Sequence, residues 1–200
     1  MSFDLPTLVP LALRTLRAPQ DEARRLMALD LPRDVLWQSL LLVVALSVIL
    51  AELSDYALRL VYGDQIGGGI LAGPFVLAGL QLTLLIVMVH AIYWLGRAAG
   101  GEGRFEDAIL VVVWLQFILV CLQAVQTVAL VVLPPLAWLI GVLGLVLFMW
   151  LLTHFIAAVH GFRSLGRIFA GILAAMLAVA MILSLLLSMA GLPMPEVSNV

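Results

Sequence analysis

The sequence predicts an all-α polytopic membrane protein, a bundle of five transmembrane helices preceded by an N-terminal amphipathic interfacial helix. Hydrophobic residues make up 64% of the 200 residues and charged residues only 11%, and the mean hydropathy is +1.21. The charges fall in short segments that separate long apolar runs. Because these runs are continuous rather than alternating, they favour helices over a transmembrane β-barrel.

The composition also excludes several classes of protein. A soluble domain usually carries about 25% charged residues, so this chain cannot build a water-facing surface. The net charge of -2 argues against nucleic acid as a partner. Lysine is absent, which excludes P-loop nucleotide hydrolysis and Schiff-base chemistry.

The uncharged stretches predict the number of membrane crossings. They cover residues 35–51, 65–96, 108–162 and 168–195. A span needs about 20 residues, so the third stretch is long enough to cross twice. Pro134 and Pro135 are interpreted as the turn between those two crossings. The predicted transmembrane domain, 34–191, therefore has spans at about 35–58, 69–96, 107–132, 136–160 and 166–190.

The arginines predict the orientation. In a five-span arrangement only Arg59 falls on one side of the membrane. The other side carries Arg14, Arg17, Arg24, Arg25, Arg33, Arg97, Arg104, Arg163 and Arg167. By the positive-inside rule, the N-terminus is expected in the cytoplasm and the short tail, 192–200, outside.

The segment before the first span, residues 1–33, is predicted to be cytoplasmic and to contain a short amphipathic helix. Pro19 suits a first helical turn, and the next two acids, Asp21 and Glu22, suit the positive helix end. The apolar positions at helical spacing are Ala23, Leu26, Met27 and Leu31. Such a helix would lie along the headgroups with Arg24 and Arg25 facing anionic phosphates. The alternative is a solvated helix without a lipid role.

Ionisable groups within the spans are candidate functional residues, because charge is costly in a bilayer. Glu52 and Asp55 lie at the outer end of the first span, and Arg59 follows Asp55 by four residues. This spacing favours structural pairing of Asp55 with Arg59. Among the uncharged polar residues, Gln81, Gln116, Gln123 and Gln126 are expected to form hydrogen bonds between helices.

The three histidines raise the question of a metal or haem. His90 lies late in the second span, and His154 and His160 lie late in the fourth. Two helices that present imidazoles at similar depth suit a b-type haem or a transition metal. Histidine is also at home in the interfacial aromatic belt, and this second interpretation is preferred. We therefore expect no metal and no cofactor.

Small residues give the clearest packing signal. Ala170, Ala174 and Ala178 repeat every four residues in the last span, which lets another backbone approach closely. Gly141 and Gly144 offer a smaller notch in the fourth span. Both features indicate tight helix packing and favour a homodimer.

No catalytic motif is present in the sequence. It contains no His-Glu-x-x-His, no Gly-x-Ser-x-Gly and no pair of cysteines. Gly101 and Gly103 lack the third glycine and the preceding strand of a dinucleotide site. The protein is therefore predicted not to be an enzyme.

One local segment, Gly100-Gly101-Glu102-Gly103-Arg104-Phe105-Glu106-Asp107-Ala108, opens the third span. With five spans and a cytoplasmic lead-in, it resembles the Yip1 family of membrane proteins, which often shows a glycine-rich turn, a phenylalanine and an acid there. The resemblance singles out Gly100, Gly101, Gly103 and Phe105 as candidate interaction residues. It implies a five-helix bundle with a cytoplasmic N-terminus and, in eukaryotic members, association with Rab-type GTPases in vesicle traffic.

Two features separate this chain from the eukaryotic members. It lacks their long cytoplasmic N-terminal domain and their Asp-Leu-Tyr-Gly-Pro stretch, which argues against Rab binding. The absence of lysine beside 10 arginines fits a GC-rich bacterial genome, so we expect a protein of the bacterial inner membrane.

The leading functional prediction is a non-enzymatic membrane protein that organises or accompanies other membrane proteins or lipids through helix packing. The expected partners are the bilayer and other membrane proteins or a second copy. The alternative is a small-solute transporter or channel, for which a water-accessible cavity should touch Glu52, Asp55, Gln81, Gln116 or Gln123. A less favoured alternative is a haem- or metal-binding subunit.

Overall fold

The structure is a computed structural model that describes residues 5–63 and 73–189. Within these residues it forms seven α-helices, of which five are long and apolar enough to cross a membrane. The predicted all-α fold class with five spanning helices is confirmed. The chain divides into two compact units, Met1–Arg163 and Ser164–Val200, and each is described by itself.

The helix bounds follow the predicted spans to within a few residues. Two short helices come first, α1 (Leu5–Thr15) and α2 (Pro19–Met27). The long helices are α3 (Arg33–Tyr62), α4 (Pro74–Ala98), α5 (Phe105–Val132), α6 (Pro134–His160) and α7 (Leu165–Met189). The predicted start of the second span at 69, residue 190 of the last span and the tail 192–200 lie outside the described residues.

The turn between α5 and α6 differs from the prediction. The break is Leu133 alone, whose backbone is not helical (φ -151°, ψ 83°), while Pro134 and Pro135 already belong to α6. Proline fits the first turn of a helix because the backbone donor that it lacks has no partner there anyway. The prolines therefore start α6 rather than form the turn.

α5 is the central helix of the first unit. It packs against α3, α4 and α6. In its most apolar stretch 56% of the residues are buried, against at most 33% for the other long helices. Its first half is buried without interruption from Ala108 to Leu115. A helix that is apolar on all sides belongs in the core, which explains the central position of α5.

The N-terminal segment holds one helix more than predicted. α2 occupies the predicted position, but it ends at Met27, and Leu31 lies beyond it. Ala23 and Leu26 are buried on the side that contacts α6 and α5, while Arg24 and Arg25 are exposed. The apolar side of α2 thus packs on protein rather than on headgroups. Placement at the membrane surface stays a prediction.

α1 was not predicted and is tied to the bundle by a buried hydrogen bond. The indole N–H of Trp114 in α5 donates to the Thr15 hydroxyl at 3.0 Å, and that hydroxyl donates to the Leu11 carbonyl at 2.9 Å. Thr15 has no exposed surface. Since a buried donor without a partner is costly, this bond favours the docked position of α1.

Replacing Thr15 with valine should loosen α1. Valine keeps the shape but leaves the Trp114 N–H without its acceptor, at a cost of about 1–3 kcal/mol. Limited proteolysis should then cleave within 5–18 faster than in the parent protein. Val9→Thr, an exchange between the same two residue types at an exposed position of α1, is the matched control. Equal cleavage rates in Thr15→Val and the parent would contradict the anchoring role.

Candidate functional site

The connection between α4 and α5 is a glycine turn that lies against the end of α6. Gly100 has a φ of 88°, and the Gly101 N–H donates to the Gly96 carbonyl at 2.9 Å. This left-handed termination satisfies carbonyls at the helix end and suits glycine because it has no Cβ. The end of α6 terminates similarly, with Gly161 at φ 70° and the Phe162 N–H donating to the Ala157 carbonyl at 3.1 Å.

Three glycines, one in the last turn of α4 and two in this connection, form a socket around His160, the last residue of α6. We call Gly96, Gly101 and Gly103 the glycine socket. A Cβ built on Gly96 or Gly101 would overlap the imidazole of His160, and one on Gly103 would lie 2.5 Å from Val159 Cγ1. Gly96 and Gly101 therefore make room for His160, and Gly103 makes room for the adjacent Val159, because none of the three carries a side chain.

The imidazole of His160 is held by packing more than by hydrogen bonds. Its Nδ1–H donates to the Ile156 carbonyl at 3.3 Å, and its ring stacks on Phe162 at 5.5 Å. The side chain is buried, and Nε2 makes no hydrogen bond to a described residue. The buried imidazole therefore holds the α4–α5 turn against α6 through van der Waals packing.

An aromatic cluster adjoins the socket at the start of α5. Phe105 meets His90 at 5.2 Å and Tyr93 at 5.5 Å, both edge to face. Arg97 lies 5.6 Å from the centroid of the Tyr93 ring. These are favourable aromatic and cation–π geometries. They join the first residue of α5 to the last turns of α4.

Two ion pairs tie the start of α3 to the start of α5. Arg33 pairs with Glu106 at 2.6 Å, and Arg104 pairs with Asp30 at 2.8 Å. The Asp30 hydrogen bond raises the pKa of Arg104 above its usual range. Because Arg104 and Asp30 are exposed, the pair contributes little stability, but it marks the starts of α3 and α5 as one end of the bundle. We call this the turn end.

A network of amides and hydroxyls crosses the bundle from α4 through α3 to α5. Gln81 Nε2 donates to Ser47 Oγ at 3.0 Å, Ser47 Oγ donates to Gln123 Oε1 at 3.3 Å, and Gln123 Nε2 donates to the Ser47 carbonyl at 3.2 Å. Two turns further along α3, the hydroxyls of Ser54 and Thr127 lie 2.6 Å apart. Hydrogen bonds of this kind hold helices together in hydrocarbon.

A polar groove lies beside this network, between α3 and α5, with a volume of about 390 Å³. It is lined by Ala51, Ser54, Asp55, Leu58, Gln123, Gln126, Thr127 and Leu130. Asp55 Oδ2 accepts from Arg59 at 2.8 and 2.9 Å, which is the pairing that the spacing suggests. The groove thus brings together Asp55 and Gln123, two of the polar candidates.

The remaining polar candidates lie apart from the polar groove. Glu52 is exposed and Gln116 is partly buried, and neither makes an ion pair or hydrogen bond to a described residue. His90 is exposed and His154 is partly buried, and each bonds a carbonyl of its own helix, at 2.8 and 2.7 Å. Within residues 5–63 and 73–189, no three His, Cys, Asp or Glu side chains form a group that could hold a metal.

The small residues divide into two groups. A Cβ on Gly141 would lie 3.1 Å from Gln126 Nε2, and one on Gly144 would lie 3.0 Å from Leu122 Cδ2, so both glycines serve the packing of α6 on α5. On α7, by contrast, Ala170, Ala174 and Ala178 are exposed. An added Cβ on the neighbouring Gly171 would have nothing within 4 Å.

The fold and these contacts place the chain in a class, the polytopic helical membrane proteins. Its own features are the central helix α5 and the glycine turn that packs against the end of α6. The chain belongs to the Yip1 family, since the Yip1 domain matches residues 13–187. The match confirms the family resemblance, and the Yip1 family is generally one of non-enzymatic membrane proteins. No curated protein and no solved structure matches the chain.

Sequence reasoning missed the partner of the glycine turn. His160 was interpreted as an interfacial histidine, and Gly96 was not singled out. Glycines at 96, 101 and 103 within a helix end and the following turn were the available signal, since close spacing of this kind indicates that something large approaches the backbone.

Proposed function

We propose that this Yip1-family protein is a non-enzymatic membrane protein that organises other membrane proteins by helix packing, with α7 as the packing surface. One observation carries the proposal. Ala170, Ala174 and Ala178 lie along one side of α7 and are exposed within the second unit, whereas the comparable glycines of α6 are used for packing within the first unit. In a bilayer, small residues on one face drive helix association through backbone packing.

The preferred occupant of this face is α7 of a second copy. A stripe repeated every four residues is self-complementary, which suits a two-fold contact between identical helices. The proposal places the protein in a bacterial inner membrane because lysine is absent beside 10 arginines. The arginine distribution supports a cytoplasmic N-terminus and a periplasmic C-terminus.

Replacing Ala174 with isoleucine should weaken this association by about tenfold, because the larger side chain keeps the two backbones apart. Native mass spectrometry of the detergent-extracted protein over a concentration series measures the dimer fraction. Ala180→Ile is the matched control, since Ala180 is exposed and lies about 120° around the same helix from Ala174. Equal dimer fractions in the two variants, or a parent that is monomeric throughout, would contradict the proposal.

Transport is the second candidate function, and the polar groove favours it because the groove touches Asp55 and Gln123. The apolar core between the polar groove and the turn end indicates that the groove binds a molecule rather than conducting it through the bundle. Leu40, Val43 and Val112 are buried there, so apolar side chains occupy much of this part of the first unit. Helix packing is therefore the better-supported function.

A further inference from the structure

The polar groove lies at the level of lipid headgroups. Arg33 and Glu106 place the first residues of α3 and α5 at the same end, and Gln123 and Thr127 follow Phe105 by about 27–33 Å at 1.5 Å per residue. The hydrocarbon core is about 30 Å thick, so these residues reach the opposite interface. Exposed Tyr56 and Trp138 at this end, like Trp94 near the turn end, suit interfacial aromatic belts.

Most of the polar lining of the groove is already satisfied within the protein. The hydroxyls of Ser54 and Thr127 lie within hydrogen-bond distance of each other and of the Leu50 and Gln123 carbonyls, at 2.8 and 2.9 Å, so the single proton of each is used within the protein. Gln123 is held by Ser47. These side chains therefore line the groove, but their hydrogen-bonding capacity is used within the protein rather than offered to a ligand.

Two groups of the lining keep unused hydrogen-bonding capacity. Arg59 approaches Asp55 through Oδ2 with both its Nε and a terminal nitrogen, so Oδ1 is left to accept another bond. The amide of Gln126 makes no hydrogen bond to a described residue, although it lines the groove and is only partly exposed. A polar group in this position is costly unless it finds a partner.

The charged residues beside the polar groove indicate which kind of ligand it would bind. Glu52, one turn before Asp55, is exposed beside the groove rather than part of its lining and forms no ion pair with a described residue, so this end of α3 carries two carboxylates and the single guanidinium of Arg59. The local excess is one negative charge. An ammonium group with N–H donors complements this excess and the acceptor atoms of Asp55 and Gln126.

We propose that the polar groove binds the headgroup of an ethanolamine phospholipid, with its primary ammonium on Asp55 Oδ1 and the Gln126 amide oxygen. Arg59, at the edge of the site, can meet the phosphate of the same headgroup. Ala51, Leu58 and Leu130 supply the apolar part of the lining, which suits the glycerol and upper acyl region of a lipid. This binding is independent of the proposed packing of α7.

A comparison of ethanolamine with choline headgroups tests the site. Both are zwitterionic and carry the same phosphate, but choline has no N–H donor. The full-length protein is placed in nanodiscs that contain equal amounts of phosphatidylethanolamine and phosphatidylcholine, and retained lipids are counted by native mass spectrometry. We expect phosphatidylethanolamine to be retained about tenfold more than phosphatidylcholine. Equal retention would overturn the proposal.

Two substitutions assign the preference to the groove. Asp55→Asn and Gln126→Leu should each abolish most of the tenfold preference. Asp34→Asn, a change of the same charge at an exposed position of the turn end, should preserve it. An unchanged preference in Asp55→Asn, or an equal loss in Asp34→Asn, would overturn the assignment. Thermal unfolding of each variant verifies that it is folded.

Soluble ethanolamine distinguishes the two sources of the ammonium group. At millimolar concentration it should leave the retained phosphatidylethanolamine unchanged, because the lipid also gains from its phosphate and apolar contacts. Displacement of the lipid would show that the groove takes a water-soluble amine, and the lipid assignment would then be wrong.

Discussion

Replacing Gly96 with alanine should lower the free energy of unfolding by about 1–3 kcal/mol, the usual cost of overpacking a filled site. The added methyl group overlaps the buried imidazole of His160. The ring cannot move aside easily, because Phe162 stacks on one side and the glycine turn encloses the other. SDS titration of the protein in mild detergent measures the unfolding equilibrium.

The same helix offers a matched control. Gly79 is also a helical glycine of α4, and an added Cβ there has nothing within 4 Å. Gly79→Ala should therefore raise stability by about 0.5–1 kcal/mol, since alanine favours the helix. If Gly96→Ala and Gly79→Ala shift the unfolding midpoint in the same direction, the glycine socket does not act by excluding a side chain.

A double mutant identifies the obstacle. His160→Ala removes the ring and leaves a cavity, so it should destabilise on its own. Adding Gly96→Ala to His160→Ala should then cost far less than it does in the parent protein. Such non-additivity is expected for residues in direct contact, whereas an additive result would mean that the two sites act independently.

Replacing Gln123 with leucine should lower the free energy of unfolding by about 1–2 kcal/mol. The change removes both hydrogen bonds between Gln123 and Ser47, and bonds of this kind contribute about 0.6 kcal/mol each on average within membranes and up to about 1.7. It also leaves Ser47 with fewer partners in the buried contact between α3 and α5. The same SDS titration measures the effect.

Gln116→Leu controls for the change of residue type. Gln116 lies two turns earlier on α5 and makes no hydrogen bond to a described residue, so its replacement should change stability by less than about 0.5 kcal/mol. Equal losses in the two variants would show that the amide of Gln123 contributes through something other than its contact with Ser47.

The number and type of the long helices could be predicted because hydropathy and charge are properties of each segment alone. The glycine socket could not, because its occupant lies about 60 residues further along the chain. α1 was missed for a local reason, since it carries Pro10 in its interior and owes its position to Trp114. The polar glutamines were recognised, but whether Gln116 or Gln123 finds a partner depends on how the helices turn toward one another.

The single-residue break at Leu133 has a consequence for biosynthesis. With no loop between α5 and α6, the second helix begins as soon as the first ends, and the pair has to enter the bilayer together as a hairpin. The central helix therefore arrives already joined to one of its neighbours. An inserted hydrophilic linker after Leu133 would separate the two entry events and expose the early steps of assembly to experiment.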